Sequence, residues 1–278
     1  DGDGTFTENA LPAGVGYNDE GKVFAGMGTD AADVDDDGRP DIVTTALSNE
    51  TYAYFHNIDG NTFNYDTNVS RLGEFTRLYG GWGMRIFDYD NDGHKDLFFA
   101  NSHVMDNVHA MQPHLEYLQP LLLLRQVNGK FVNVSAVSGP VFAQKWASRG
   151  AAFGDLDNDG DIDVVVVTCG GPAYVLRNEG GNRNTWIGLD LQGTRSNRDA
   201  IGAKVKLTSE SGKVQYGMVT TTASYQSAVD KRVYFGIGQE NAVRSIEISW
   251  PSGTRQVIRN PAVRKILRVT EWPASATP

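Results

Sequence analysis

Three nine-residue stretches of this chain concentrate carboxylates in one register. Asp33, Asp35, Asp37 and Asp41, then Asp88, Asp90, Asp92 and Asp96, then Asp155, Asp157, Asp159 and Asp163 stand at positions 1, 3, 5 and 9. Gly38, Gly93 and Gly160 hold position 6. Alternate carboxylates around a glycine that permits a sharp turn are the order of a loop wrapped on a hard cation. The carbonyl at position 7, from Arg39, His94 or Asp161, offers one more oxygen. A helix-loop-helix site needs a bidentate Glu at position 12, where Thr44, Phe99 and Val166 stand, so that reading fails.

Charge gives the loops a reason to bind metal. Two carboxylates about 4 Å apart repel by roughly 4 kcal/mol at an effective dielectric of 20, and four converging ones repel in every pair. Oxygen-only donors on a flexible loop favour calcium over zinc, and over magnesium, which keeps its waters and demands strict octahedral geometry. About three Ca2+ are expected, one per loop. The plain alternative, a solvated Asp-rich turn, fits one copy far better than three in one register.

The elements that carry these loops repeat with them. "GTDAADVDDDGRPDIVTT" from Gly28, "GMRIFDYDNDGHKDLFFA" from Gly83 and "GAAFGDLDNDGDIDVVVV" from Gly150 each place a glycine five residues before the first Asp. Each leads into a hydrophobic run and then a hairpin pattern, about four strands in all, the content of one propeller blade. Near-continuous hydrophobicity in these runs fits strands covered on both faces. The expected fold is all-β: a partial β-propeller with metal loops at 24–184, then a C-terminal β module of alternating strands at 185–272. Residues 1–10, "DGDGTFTENA", match the closing hairpin of an upstream blade, and 273–278 form a tail.

Composition narrows the function. A formal charge of −9 disfavours nucleic acid and anionic membrane as partners. The longest apolar run, "PLLLL" at 120–124, is far too short to span a bilayer. The single cysteine, Cys169, excludes an intrachain disulfide framework. No nucleophile elbow, phosphate loop or dinucleotide fingerprint is present. Three blades leave strand edges bare, so an upstream polypeptide that completes the propeller is expected as a partner. The alternative is that the C-terminal module folds back over those edges.

The acidic loops resemble the FG-GAP or VCBS calcium-binding propeller repeats. "NTWIGLDLQGTRSNRDAIGAKVKL", "YFGIG" and "WPSGTRQVI", with "GGWGMRIFDYDNDGHKDLFFANSHV", look like the ASPIC/UnbV family across residues 24–271. That resemblance implies a propeller joined to a C-terminal ASPIC/UnbV module, in a family with secreted bacterial proteins and proteins of enediyne biosynthesis clusters. The disulfide-rich appendage of animal members is absent here, which points to a bacterial-type chain.

Two functions follow. One is a calcium-stabilised binding scaffold, exported to the periplasm or outside the cell, that engages a glycan, protein or small-molecule ligand on a propeller face. Arg85 and Arg149, beside the second and third loops, are its candidates for holding an anion in a central channel, with pairing to loop aspartates as the plainer reading. The other is a cytoplasmic natural-product enzyme of the enediyne-cluster type, implied by the resemblance, coupling carbon to carbon on a polycyclic aromatic substrate. His103, Tyr117 and Gln119, in the insertion at 100–120, would supply its acid-base groups, although stabilising polar contacts are the leading reading of all three. The irregular spacing of His103, His109 and His114 gives little support to zinc.

Overall fold

The computed structural model describes residues 4–273, and nearly every regular element in it is a strand. Residues 4–10 contain no strand, and the hairpin expected at 1–10 and the tail at 273–278 lie partly outside the described residues. The first sheet is a meander of β1 (Thr29–Ala32), β2 (Asp41–Thr44), β3 (Ala53–Asn57) and β4 (Phe63–Tyr65). The second begins with β5 (Gly81–Phe87) and β6 (Asp96–Asn101). The chain then detours through a short helix, Val108–Met111, and β7 (Gln119–Pro120) before β8 (Leu122–Val127) and β9 (Lys130–Asn133) complete that sheet. After β10 (Lys145–Trp146), which pairs with β7, comes a third sheet of β11 (Ser148–Gly154), β12 (Asp163–Thr168) and β13 (Tyr174–Leu176).

Each acidic loop joins the first two strands of its sheet in the same register. The residue before position 1 lies opposite position 9: Ala32 faces Asp41, Phe87 faces Asp96 and Gly154 faces Asp163. The second strands carry the hydrophobic runs. Every residue of β6, "DLFFAN", is buried, as expected for a strand with packing on both faces. Met84, Phe99 and Leu122 pack with the first sheet's Tyr52 and Val43, while Phe87, Phe98 and Leu123 pack with the third sheet's Phe153 and Val166.

The C-terminal module pairs two sheets around its own core. One contains β14 (Thr185–Gln192), β19 (Val233–Gly238) and β22 (Ile266–Thr270); the other contains β15 (Lys204–Ser209), β16 (Val214–Met218), β20 (Val243–Ser249) and β21 (Arg255–Arg259). Ile187, Leu207, Phe235, Ile246 and Trp250 are buried between them.

A two-stranded hairpin, β17 (Thr222–Ala223) and β18 (Ser227–Ala228), leaves this module and enters the centre of the three sheets. The repeat glycines show how. A side chain on Gly28 would strike the carbonyl of Trp82 on β5. One on Gly83 would lie 2.5 Å from the backbone nitrogen of Ala151 on β11, and one on Gly150 would lie 2.6 Å from Ser227 Oγ on the hairpin. The first strand of each unit therefore abuts the next, and the hairpin takes the following place. Its other side returns to β1, where the Ser224 N–H donates to the Thr29 carbonyl at 2.9 Å. On β11, the Asp230 N–H donates to the Phe153 carbonyl at 2.8 Å. The first strands of the first and third sheets are thus both met by the chain's own C-terminal module.

Candidate metal loops and the cavity beside them

The three loops repeat one hydrogen-bond plan. At position 1, one carboxylate oxygen accepts the position-5 N–H (Asp37 to Asp33, 3.1 Å; Asp92 to Asp88, 3.0 Å; Asp159 to Asp155, 3.1 Å). The other accepts the glycine N–H at position 6, at 2.8, 2.8 and 3.1 Å. The position-9 carboxylate accepts the N–H of position 2 and an N–H from the third strand or just beyond it: Asn57 to Asp41, Gln126 to Asp96 and Asn178 to Asp163, each at 2.8 Å. Position 4 adopts the left-handed conformation in all three, at Asp36, Asn91 and Asn158, and so does the position-6 glycine.

This folding brings positions 1, 3 and 9 together. Carboxylate oxygens of Asp33, Asp35 and Asp41, of Asp88, Asp90 and Asp96, and of Asp155, Asp157 and Asp163 lie within 4.8 Å of one another in each set. In all three sets the outer positions are buried. Position 5 is placed differently: Asp37 pairs with Arg39, Asp92 pairs with Arg125 at 2.6 Å, and Asp159 Oδ1 accepts the Asp161 N–H. Asp35 and Asp37 form a further set with His56, whose Nε2 lies 3.0 Å from Asp35, a neighbour that no loop spacing announces.

The electrostatics fit a cation. Burial pushes Asp33 and Asp41 up to about 6 and Asp88 up to about 7, and raises Asp96 and Asp155 as well. Burial likewise pushes Asp161 up to about 7; its Oδ2 accepts the Asn182 N–H while its Oδ1 is buried without a partner. Three converging carboxylates, two of them desolvated, that offer only oxygen are a donor set for a hard divalent ion. Asp161 stands at position 7 of the third loop. The side chain of Arg39 turns away to the Asn57 carbonyl at 3.1 Å, and His94 is exposed.

All three loops dock on the C-terminal module. Gly38 packs on Tyr216, and Lys213 bridges the first two loops, 3.6 Å from Asp36 and 2.6 Å from the Gly93 carbonyl. Arg232 donates to the Asp155 carbonyl and to Asn158 Oδ1, both at 2.6 Å. Gly160 lies against the Trp186 ring so closely that a side chain there has no room. Beside these contacts is a cavity of about 500 Å³ between β1, β5, β15, β16 and β19, lined by Arg85, Lys95, Phe87, Phe153, Tyr216 and Met218 among others.

The remaining candidates are held by ordinary bonds. Arg149 stacks 4.1 Å over Trp82 and donates to Ser102 Oγ and the Ser148 carbonyl. Gln119 is buried, with its carbonyl accepting the Gly80 N–H at 2.8 Å and its amide donating to the Glu116 carbonyl at 3.0 Å. His103 is buried too, and its Nδ1 accepts the Met105 N–H at 3.0 Å. Tyr117 is half-buried, and its carbonyl accepts the His103 N–H. These bonds hold the insertion to the second sheet. Glu271 was not singled out by its sequence neighbourhood, yet it gathers the N–H groups of Thr194, Arg195 and Ser196. Against the cost of burial, those bonds and the Ser252 hydroxyl hold its carboxyl down to about 2.

Comparison with known proteins agrees with this division. Residues 33–99 match the FG-GAP-like repeat family model, which takes in the first two loops, and residues 193–276 match the ASPIC and UnbV model. The third loop lies outside the first match but repeats its bonds. Cartilage acidic protein 1 of Homo sapiens is 25% identical over 284 residues, covering 97% of this chain and 39% of its own length. The Xenopus tropicalis protein of the same name is 24% identical, covering 91% and 37%. The chain thus spans about two fifths of these relatives. No helix among the described residues is long and apolar enough to cross a membrane. This chain carries FG-GAP-like repeats followed by an ASPIC and UnbV domain, and it is a homologue of cartilage acidic protein 1.

Proposed function

We propose that this chain is a calcium-stabilised binding scaffold. The observation that carries the reading is the recurrence of one geometry three times: carboxylates at positions 1, 3 and 9, in register, within 4.8 Å, with positions 1 and 9 buried. Asp33, Asp35 and Asp41, their counterparts at 88, 90 and 96, and those at 155, 157 and 163 would hold the ions. Calcium would supply the positive charge that lets these carboxylates stay ionised while buried. Its role is structural: it ties each turn to the strand that follows and firms the surface on which the C-terminal module rests. Calcium modules outside cells bind with dissociation constants of about 10⁻⁴ to 10⁻³ M, which suits an exported protein.

The ligand of such a scaffold would be a glycan, a protein or a small molecule. The enzyme reading draws no support from the insertion, because Gln119 spends its amide on backbone groups and His103 caps its own turn. Equilibrium dialysis followed by metal analysis tests the proposal. Three calcium ions per chain are expected, falling to two in Asp157→Asn, with magnesium in excess failing to displace them. Loss of no calcium on that substitution, or no calcium bound at all, would refute it.

A further inference from the structure

The cavity between the sheets and the C-terminal module is bordered by two cations with unmet hydrogen-bond donors, Arg85, beside Asp30, and Lys95, whose charge acts on Asp88 and Asp36. Arg85 projects from β5, with a side chain only 20% exposed. Its nearest carboxylate, Asp30, is 3.6 Å from Nε, beyond hydrogen-bond reach, and is itself occupied by the N–H groups of Ala31 and Ile86. Arg85 Nη1 is buried with no partner. Lys95, 9% exposed, rests 5.9 Å from the centre of the Phe235 ring and forms no hydrogen bond or ion pair among the described residues. A guanidinium offers five donors, and leaving them unmet in a desolvated place is costly unless something else supplies the acceptor.

The surroundings select the kind of acceptor. Phe87, Phe153, Met218 and Tyr216 give the cavity apolar walls, and its volume of about 500 Å³ suits a small organic molecule. We infer that this cavity binds an organic carboxylate with an apolar body, its carboxylate on the Arg85 fork, its charge supported by Lys95, and its body against Phe87, Phe153 and Met218. A planar guanidinium pairs with a carboxylate through two parallel bonds. A phosphate would carry a second negative charge toward Asp33 and Asp88, which also border the cavity. In this last respect the inference rests on the proposed calcium occupancy, since an ion in each loop removes the repulsion those two carboxylates would exert on any anion.

The test uses the full chain in saturating calcium, with 4-phenylbutanoate and its neutral counterpart 4-phenylbutanamide as probes, followed by titration calorimetry. The carboxylate is expected to bind about tenfold tighter than the amide or better, the discrimination typical of a lost charge-assisted pair. Arg85→Met, nearly the same length, is expected to remove that preference. Met218→Trp, on the opposite wall, is expected to exclude both probes while leaving Arg85 in place, and it carries the test if Arg85→Met does not fold. Equal affinity for the two probes, no binding of the carboxylate, or an unchanged preference in Arg85→Met would overturn the inference. Calcium is titrated separately by competition with a chelator. A chain that prefers the carboxylate but binds no calcium would refute the proposed function and leave this inference standing; a chain that binds calcium but shows no preference would do the reverse.

Discussion

The Tyr234 hydroxyl lies 3.1 Å from the carboxylate Oδ2 of Asp155, the first residue of the third acidic loop. The same oxygen accepts the N–H of Gly160, so a donor from the C-terminal module shares one carboxylate with the turn that shapes the loop. Tyr234→Phe removes the donor and leaves the ring. It is expected to cost about 1.5 to 3 kcal/mol, the scale of a hydrogen bond to a charged group. It should also weaken the third calcium site alone, measured by melting and by calcium titration; an unchanged melt would mean that the two parts are not joined there.

Positions 9 and 3 should fail in different ways. Asp96 is fully buried and accepts the N–H groups of Gln126 and Tyr89, so Asp96→Ala strands two backbone donors. A loss of about 3 kcal/mol is expected already in chelator, with the second site's calcium contribution forfeited on top of it in calcium. Asp157 is exposed, and its ion pair is with Arg177 at 2.8 Å. Asp157→Ala is expected to shift the melt by no more than about 0.5 kcal/mol in chelator. In calcium it should forfeit what that site contributes, about 2.7 kcal/mol at a hundredfold excess over the dissociation constant. Parallel urea titrations of both variants with and without calcium distinguish the two cases.

Acidity should act oppositely on the two forms of the protein. Asp33 and Asp41, pushed up to about 6 by burial, and Asp88, pushed up to about 7, keep protons that the unfolded chain releases near pH 4. In chelator the folded chain therefore binds more protons than the unfolded one up to about pH 7, and the stability contributed by these groups falls as pH rises through their folded values. Calcium competes with those protons, so its stabilising increment should grow over the same interval. Melts at pH 5.5, 6.5 and 7.5 in each condition read both slopes. Parallel slopes would remove these carboxylates from the calcium sites.

Gly83→Ala should be far more damaging than its size implies. The new methyl would lie 2.5 Å from the backbone nitrogen of Ala151 and 2.9 Å from the Arg149 carbonyl, backbone atoms that cannot rotate away. Loss of about 3 kcal/mol or more is expected, seen as insoluble expression or a large fall in melting temperature. Wild-type behaviour of the variant would mean that β5 and β11 do not touch in solution.

What could be read from the sequence is what is local to it. The loops are legible because a metal turn is written in nine consecutive residues, and Asp33 and Asp41 are fixed by bonds within the loop and to the next strand of the same sheet. Position 5 cannot be ranked from the spacing alone, because the partners of Asp37 and Asp92, Arg39 and Arg125, are visible only in the fold, where Asp37 still lies within 4.8 Å of Asp35. Gly28, Gly83 and Gly150 were visible as a repeat, but their purpose lies in neighbours on other strands. The hairpin was illegible: "TA" and "SA" carry no hydrophobic pattern, and their partners lie far back in the chain. His103 and Gln119 look like chemistry in sequence because their acceptors and donors are invisible there.

The hairpin also sets an order of events during synthesis. The Met84 N–H donates to Ser224 Oγ across 140 residues, and this bond cannot form until the hairpin has left the ribosome. At about 5 to 20 residues per second, the inner strands wait on the order of 7 to 28 seconds for their neighbour. During that delay the edges of β1 and β11 stand open while the loops that shape them are already complete. A chain bound for export would meet enough calcium only after that delay, so these edges stay open until the ion sets the turns outside the cytoplasm. Calcium would then govern the yield of folded chains as much as the stability of the finished one.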